Sequence, residues 1–295
     1  MPIYYPDILD QRTAARSITY GDKDVMLYAL GIGLGADPMN EKELPFVYER
    51  DLKVVPTAAT VLAAANSRPA EGRPAPAPPP GHRPSQINYL MMVHGEQKVE
   101  LHKPLPTFGT FVTEGRTVGA WDKGAGKGAV VVQETTWTDE KGELAATLTG
   151  SMFARGDGGF GGPTEGQPEP HQVPTRAPDL SVDIATRPDQ ALLYRLNGDR
   201  NPLHSDPQSA KMSGFPRPIL HGLCTYGITC RAVLQHVLDY DAAQIRSHQV
   251  RFSAPVFPGD TITVDLWKDG KNVSFEARVK ERNATVIRNG LTVLR

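Results

Sequence analysis

Alternating runs of apolar and polar residues, rich in β-branched and aromatic types, predict strands over 98–101, 110–122, 129–138 and 143–153. The same pattern recurs over 180–184, 245–253, 261–268 and 272–282, and more loosely over 284–294. Long strands joined by short turns, such as Thr138-Asp-Glu-Lys-Gly142, point to antiparallel sheets. A further strand is predicted over 47–55, where Pro56 breaks the alternation. Helical spacing predicts short helices over 25–30, 58–65 and 189–196, the last behind Arg187-Pro188. One long helix runs from Gly222 to about Leu238 and is apolar on nearly every face. Such a helix has to be wrapped, here by a curved antiparallel sheet.

The stretches between these elements are equally informative. Gly31, Gly33 and Gly35 follow a helix-like run and precede Asp37-Pro38. A dinucleotide-binding loop needs a strand before it and a helix opening on it, so a helix stop is the better reading. Residues 67–84 carry no apolar periodicity and read as an exposed, partly polyproline loop. Residues 205–218 read as a polar connection. The Gly- and Pro-rich run 156–179 reads as a linker between an N-terminal domain, 1–155, and a C-terminal domain, 180–295.

The two halves share punctuation. Val93-His-Gly95, a proline bend from Pro104 and Trp121-Asp-Lys-Gly124 in the first answer Leu220-His-Gly222, Pro255 and Trp267-Lys-Asp-Gly270 in the second. Gly222 to Pro255 leaves room for a long helix, whereas Gly95 to Pro104 does not. The first copy is therefore expected to have its central helix reduced or missing, leaving an open groove for an apolar ligand.

Composition narrows the classes. With 39% hydrophobic and 22% charged residues a real core is expected. Lys+Arg number 32 against 33 Asp+Glu, so no overall charge calls for nucleic acid or a membrane surface as partner. Cys224 and Cys230 lie on one helical stretch, point to different faces and read as core residues in a reducing compartment. Neither a secretory leader at the opening nor a peroxisomal tripeptide at Thr-Val-Leu-Arg295 is visible, and no run is long enough to span a membrane. A cytoplasmic protein is expected.

The candidate chemistry lies in Tyr194-Arg-Leu-Asn-Gly-Asp-Arg-Asn-Pro-Leu-His204 and Ile219-Leu-His-Gly-Leu-Cys-Thr-Tyr226. Asp199, Asn201 and His204 bring a carboxylate, an amide and an imidazole close together. Gly222 opens the apolar helix, where N–H groups lack intrahelical partners and the helix dipole is positive. An acid, a base and such an N–H are what proton transfer beside a carbonyl requires. Taken singly, Asn-Gly-Asp with Asn-Pro is good turn chemistry, and His94, His221 and Lys123 are ordinary turn residues. A zinc site from Asp199, His204 and His221 is conceivable, but no CxxC or HxxxH spacing supports it, and no metal is expected.

With these motifs laid out, the chain closely resembles the (R)-specific enoyl-CoA hydratase 2 family of MaoC-like double hot-dog proteins. The likeness includes the glycine-rich stretch from Tyr28, His94-Gly-Glu-Gln97, Gly158-Gly-Phe-Gly-Gly162, the run from Arg251-Phe to Trp267, and above all the 194–204 motif. Asn197, at a small-residue position, is its one loose fit. The proline-rich 67–84 insertion departs from the family, and the dehydrogenase module and peroxisomal signal of the multifunctional enzymes are not seen. The resemblance implies an α+β double hot-dog fold, two tandem antiparallel sheets each wrapping a helix and paired edge to edge within the chain. It implies Asp199 and His204 as the catalytic pair, Asn201 holding water or substrate, and the Gly222 N–H at the thioester oxygen. Contacts to the coenzyme A (CoA) ester are implied at His94, Gly95, Lys123 and Phe252, with Arg200, Pro202, Leu203 and Arg251 in the same binding set.

The activity then expected is hydration of trans-2-enoyl-CoA to (3R)-3-hydroxyacyl-CoA, with CoA as part of the substrate and no separate cofactor. A homodimer is expected. Dehydration of a hydroxyacyl group on acyl carrier protein and a non-catalytic acyl-CoA-binding role are the alternatives. Chain length, and which of Asp199 and His204 is acid and which is base, stay open at this point.

Overall fold

The computed structural model describes residues 3–65, 67–88 and 91–295, with the backbone alone at 63–65. The first half contributes β1 (Arg16–Tyr20), α1 (Asp22–Gly31), α2 (Leu44–Val47), α3 (Ala59–Ala65), β2 (Ser67–Pro69), β3 (Met92–Leu101), β4 (Gly109–Asp122), β5 (Ala129–Asp139) and β6 (Leu144–Ala154). The second contributes β7 (Leu180–Ala185), α4 (Gln190–Tyr194), α5 (Pro207–Met212), α6 (Gly222–His236), β8 (Ile245–Phe252), β9 (Thr261–Asp269), β10 (Asn272–Val279) and β11 (Ala284–Leu294). All strands join one antiparallel sheet in the order β2-β1-β4-β5-β6-β3-β8-β11-β10-β9-β7.

That order contains the same topology twice. With the short edge strand β2 set aside, β1-β4-β5-β6-β3 and β7-β9-β10-β11-β8 are both first, third, fourth, fifth and second strand of their half. The halves meet where β3 pairs with β8, Glu96 opposite Arg251 and Val99 opposite His248. The architecture is therefore an α+β double hot-dog whose two sheets are continuous through one strand pair.

The second half follows the sequence pattern closely. Cys224, Tyr226, Ile228, Cys230, Val233 and Leu234 of α6 are all buried, and the helix touches β7, β8, β9 and β11. The free cysteines are buried in it. Buried polar groups in this core find partners: Tyr226 Oη donates to the His248 carbonyl at 2.8 Å, and His248 bridges Thr229 Oγ1 and Thr292 Oγ1 at 3.1 and 2.7 Å. Gly227 has a packing reason to be glycine. A Cβ there would lie 2.5 Å from Ile32 Cγ2 and 2.6 Å from Tyr28 Oη.

The first half is where the sequence reading needs correcting. His94-Gly95 is not the counterpart of His221-Gly222. It lies within β3, at a register shift against β6, so the helical part of the first copy is the segment between β1 and β3. The central helix is reduced, as expected, but to the seven residues of α3, which packs on β1 and β6. Nor is the sheet left open above it. Tyr20, Phe111 and Trp137 are buried in one aromatic cluster, with centroids 5.9 Å apart for Tyr20–Phe111 and 5.5 Å for Phe111–Trp137, and Val61 and Leu62 of α3 belong to the same core.

The strand expected over 47–55 is instead the end of α2 and an irregular turn. Glu43, only 2% exposed, organises this region. It accepts from Gly35 N at 2.6 Å and Gln235 Nε2 at 2.5 Å, and pairs with Arg231 of α6 at 3.4 Å. These long-range bonds outweigh a local alternation. Gly33 and Gly35, at φ 88° and 76°, end the α1 segment as read. The stretch 205–218 contains α5, capped by Asp206, whose carboxylate accepts from Gln208 N at 2.9 Å. The loop after Pro69 is largely exposed, but residues 67–69 form β2.

The 156–179 segment is strapped down rather than free. Asp122 accepts from Gly124 N, Gly159 N and Gly161 N at 2.8, 2.7 and 2.8 Å. Burial alone would raise its carboxyl; the N–H groups of Gly159, Gly124, Gly161 and Phe160 outweigh that and hold it below the usual carboxylate range. Further on, Trp267 Nε1 donates to the Arg176 carbonyl at 2.8 Å. No described helix is long and apolar enough to cross a membrane.

Candidate active site

The signature loop is built by local turn chemistry. Gly198, at φ 117°, takes the left-handed conformation that ends the turn after α4. Asp199 Oδ1 then accepts from Asn201 N at 3.1 Å. Asn201 Oδ1 caps the next turn by accepting from Leu203 N at 3.0 Å, with Pro202 at its first position. That short 3-10 turn carries His204 inward, leaving it 8% exposed, while Asp199 stays exposed.

His204 Nδ1 lies 2.9 Å from the Ile219 carbonyl. A carbonyl only accepts, so Nδ1 carries the proton and Nε2 keeps its lone pair. Burial pushes the His204 pKa down, partly offset by the Ile219 carbonyl and the negative charge of Asp199. The imidazole is thus held as a neutral base. His221, 1% exposed, stacks on it with ring centroids 3.8 Å apart and planes at 25°. The Tyr194 ring lies 5.0 Å from it, tilted by 49°. His221 Nε2 donates to the Asp199 carbonyl at 3.3 Å. Burial, followed by the neighbouring His204, pushes the His221 pKa down to about 4.

Gly222 begins α6 directly after His221, whose φ of −58° and ψ of 135° turn the chain into the helix. Its N–H belongs to the first helical turn and has no carbonyl four residues back within the helix. The Phe252 ring packs over it, 3.4 Å from where a Cβ would sit. The His94 ring in turn lies 4.9 Å from Phe252, and His94 Nε2 is 3.0 Å from the Glu96 carbonyl. Burial pushes the His94 pKa down, against the Glu96 carbonyl and Gln97. Gly95 sits so close to β6 that a Cβ would meet Ser151 Oγ at 2.8 Å.

A cavity of about 250 Å³ continues from this point, lined by His94, Gly95, Arg251 and Phe252 together with Arg155 and Gln167. Lys123 reaches its rim by donating from Nζ to Gln167 Oε1 at 2.9 Å. The structure therefore brings together Asp199, His204 and Gly222, and adjoins to them His94, Gly95, Arg251 and Phe252, with Lys123 one residue further out. Arg200 is exposed outside the cavity lining, and Pro202 and Leu203 form the turn beneath His204. Asn201 has its amide oxygen committed to the cap, which leaves its Nδ2 for other partners.

His221 is the residue that sequence reasoning undervalued. Its ring is not confined to its own turn but reaches back into the signature loop, where Nε2 meets the Asp199 carbonyl. Nothing in the spacing announces this. Asp199, His204 and His221 also form a group whose ligand atoms lie within 4.8 Å of one another. One nitrogen of each ring is already committed, His204 Nδ1 to the Ile219 carbonyl and His221 Nε2 to the Asp199 carbonyl. Asn197, the loose fit in the motif, is buried and donates from Nδ2 to the Tyr194 carbonyl at 2.9 Å.

Comparison with known proteins places this geometry. The MFE-2 hydratase 2 N-terminal domain model matches residues 18–156 and the MaoC like domain model matches residues 170–289. Enoyl-CoA hydratase ChsH3 of Mycobacterium tuberculosis is 41% identical over 295 residues, which cover 100% of this chain and 99% of that protein. The chain belongs to the MaoC-like hydratase 2 family. Another member, the peroxisomal enoyl-CoA hydratase 2 of Arabidopsis thaliana, is 38% identical over 284 residues, 91% of this chain and 88% of its own length. Among solved structures, a MaoC-like dehydratase from Phytophthora capsici superimposes with a TM-score of 0.85 at 36% identity, covering 99% of both chains. The hydratase 2 halves thus correspond to the two sheets that meet at β3 and β8.

Proposed function

We propose that this protein adds water to the double bond of trans-2-enoyl-CoA thioesters, giving (3R)-3-hydroxyacyl-CoA, and catalyses the reverse. The observation that carries the reading is a neutral His204 with a free Nε2, set beside the Asp199 carboxylate and the unpaired N–H of Gly222. The thioester oxygen accepts from Gly222 N–H, which strengthens as that oxygen becomes an enolate. His204 Nε2 takes a proton from water as the water oxygen bonds to C3, while Asp199 and Asn201 Nδ2 hold the water in line. The proton taken from water is returned to C2, so His204 and Asp199 end as they began, and the reaction needs no cofactor. The cavity beyond Phe252 suits the pantetheine arm, and Arg251, Arg155 and Lys123 at its margin suit the CoA phosphates. The enoyl-CoA hydratases among the relatives support the substrate class.

The test is loss of enoyl absorbance with trans-2-enoyl-CoA esters of increasing length, the product being oxidised by an (R)-specific dehydrogenase. Asp199→Asn and His204→Ala should each lower kcat by about 10² to 10⁴ while the fold is kept. Acyl-CoA binding without turnover would favour the non-catalytic role, and turnover confined to acyl-carrier-protein esters the dehydratase role.

A further inference from the structure

His221 touches three parts of the candidate site at once. Its Nε2–H holds the Asp199 carbonyl at 3.3 Å. Its ring face lies 3.8 Å from the centre of His204. Its own carbonyl accepts from Cys224 N and Thr225 N at 3.0 and 3.2 Å, which fixes the first turn of α6, where Gly222 lies. The Tyr194 ring packs beside it at 5.0 Å. Nδ1 is buried with no hydrogen-bond partner among the described residues. A buried nitrogen left bare in this way is costly, and protonating it would add a buried donor with nothing to accept from it. The charged and titratable groups facing the ring are His204 and Asp199 from the signature loop, Arg195, and the Tyr194 phenol from α4.

We propose that His221 is a positioning residue: it ties the Asp199 loop to the head of α6, fixes the plane of the His204 imidazole, and, by staying neutral, leaves His204 as the one imidazole in the site that exchanges a proton. The rate it serves is that of the hydration proposed above, but the positioning itself is visible without substrate. Asp199 is held close enough for its charge to raise the His204 pKa. Releasing the loop removes part of that support, so the His204 midpoint falls.

The experiment follows the imidazole nitrogens by NMR in the substrate-free protein, alongside steady-state kinetics. In the wild type, His221 is expected as the Nε2–H tautomer with no titration down to pH 5, and His204 as the Nδ1–H tautomer. His221→Phe keeps a ring beside His204 but loses the donor. It should lower the His204 midpoint and reduce kcat by up to about 10²-fold, the scale of a misplaced catalytic group, with KM within about twofold. His221→Gln places an amide N–H where Nε2 was, and should return the midpoint and much of kcat. An unmoved midpoint with equal loss of activity in both variants would make the residue structural only and overturn the proposal. So would a wild-type His221 that is the Nδ1–H tautomer or titrates together with His204, a result that needs no folded variant. Because the tautomers and midpoints are read without enoyl-CoA, these outcomes are separate from failure of the hydratase reading.

Discussion

Replacing Gly222 by proline deletes one N–H and sets the ring Cδ in its place, while the backbone around it can stay as it is. His221, at φ −58° and ψ 135°, already has the extended conformation that a residue before proline must adopt. Gly222 is the first helical residue, where proline is favoured because its missing N–H has no intrahelical partner. A Cβ there would lie 3.4 Å from the Phe252 ring, an ordinary contact. Stability should therefore hold, or rise by about 0.4–1 kcal/mol through a stiffer unfolded chain. The rate should not hold. Losing one oxyanion donor costs about 10² to 10³ in kcat, roughly 2.7–4 kcal/mol of transition-state stabilisation. Gly222→Ala is the control, because it adds a methyl group and keeps the N–H. Enoyl-CoA hydration and thermal melting on the three proteins decide the matter. Alanine should retain much more activity than proline, with all three melting together. A proline variant of wild-type kcat, or an alanine variant as impaired as the proline one, would refute the role given to the N–H.

Two further outcomes are expected. In the proposed mechanism the neutral form of His204 is the base, and burial lowers its pKa from the ordinary value of 6.5. The acid limb of kcat/KM should accordingly lie below pH 6.5, activity falling as pH drops through it, and a limb at or above 6.5 would contradict the assignment. Glu43→Ala leaves Arg231 buried without its counter-charge and should cost about 3–5 kcal/mol, read as a lower urea midpoint at unchanged slope.

Sequence reading reached furthest where one physical cause dominates. β4, β5, β6 and β9 are long alternating runs, and α6 is apolar all round because a sheet wraps it; each could be placed within a few residues. β1 was missed because its five residues run straight into the acidic start of α1. Residues 47–55 misled because their alternation is local, while Glu43 is fixed by partners on α6 far along the chain. His94-Gly95 misled in another way. The same dipeptide that opens a helix at 221–222 lies at a register shift of β3 against β6, where a Cβ on Gly95 would meet Ser151 Oγ at 2.8 Å. Within the candidate site, the grouping of Asp199, His204 and Gly222 was legible from motif and spacing. The stacking of His221 on His204 was not, since it depends on how two loops meet.

The pairing of β3 with β8 makes one molecule out of what would otherwise be a symmetric pair. In a true two-fold dimer every substitution appears twice, so a change that reshapes one pocket also alters the other. Tethering the copies lifts that restriction. The segment between β1 and β3 can lengthen, shorten or change its side chains while the second copy keeps its helix and its signature loop intact. The helical segment of the first copy and the signature loop of the second thereby lie on separate stretches of one chain, each free to vary without the other.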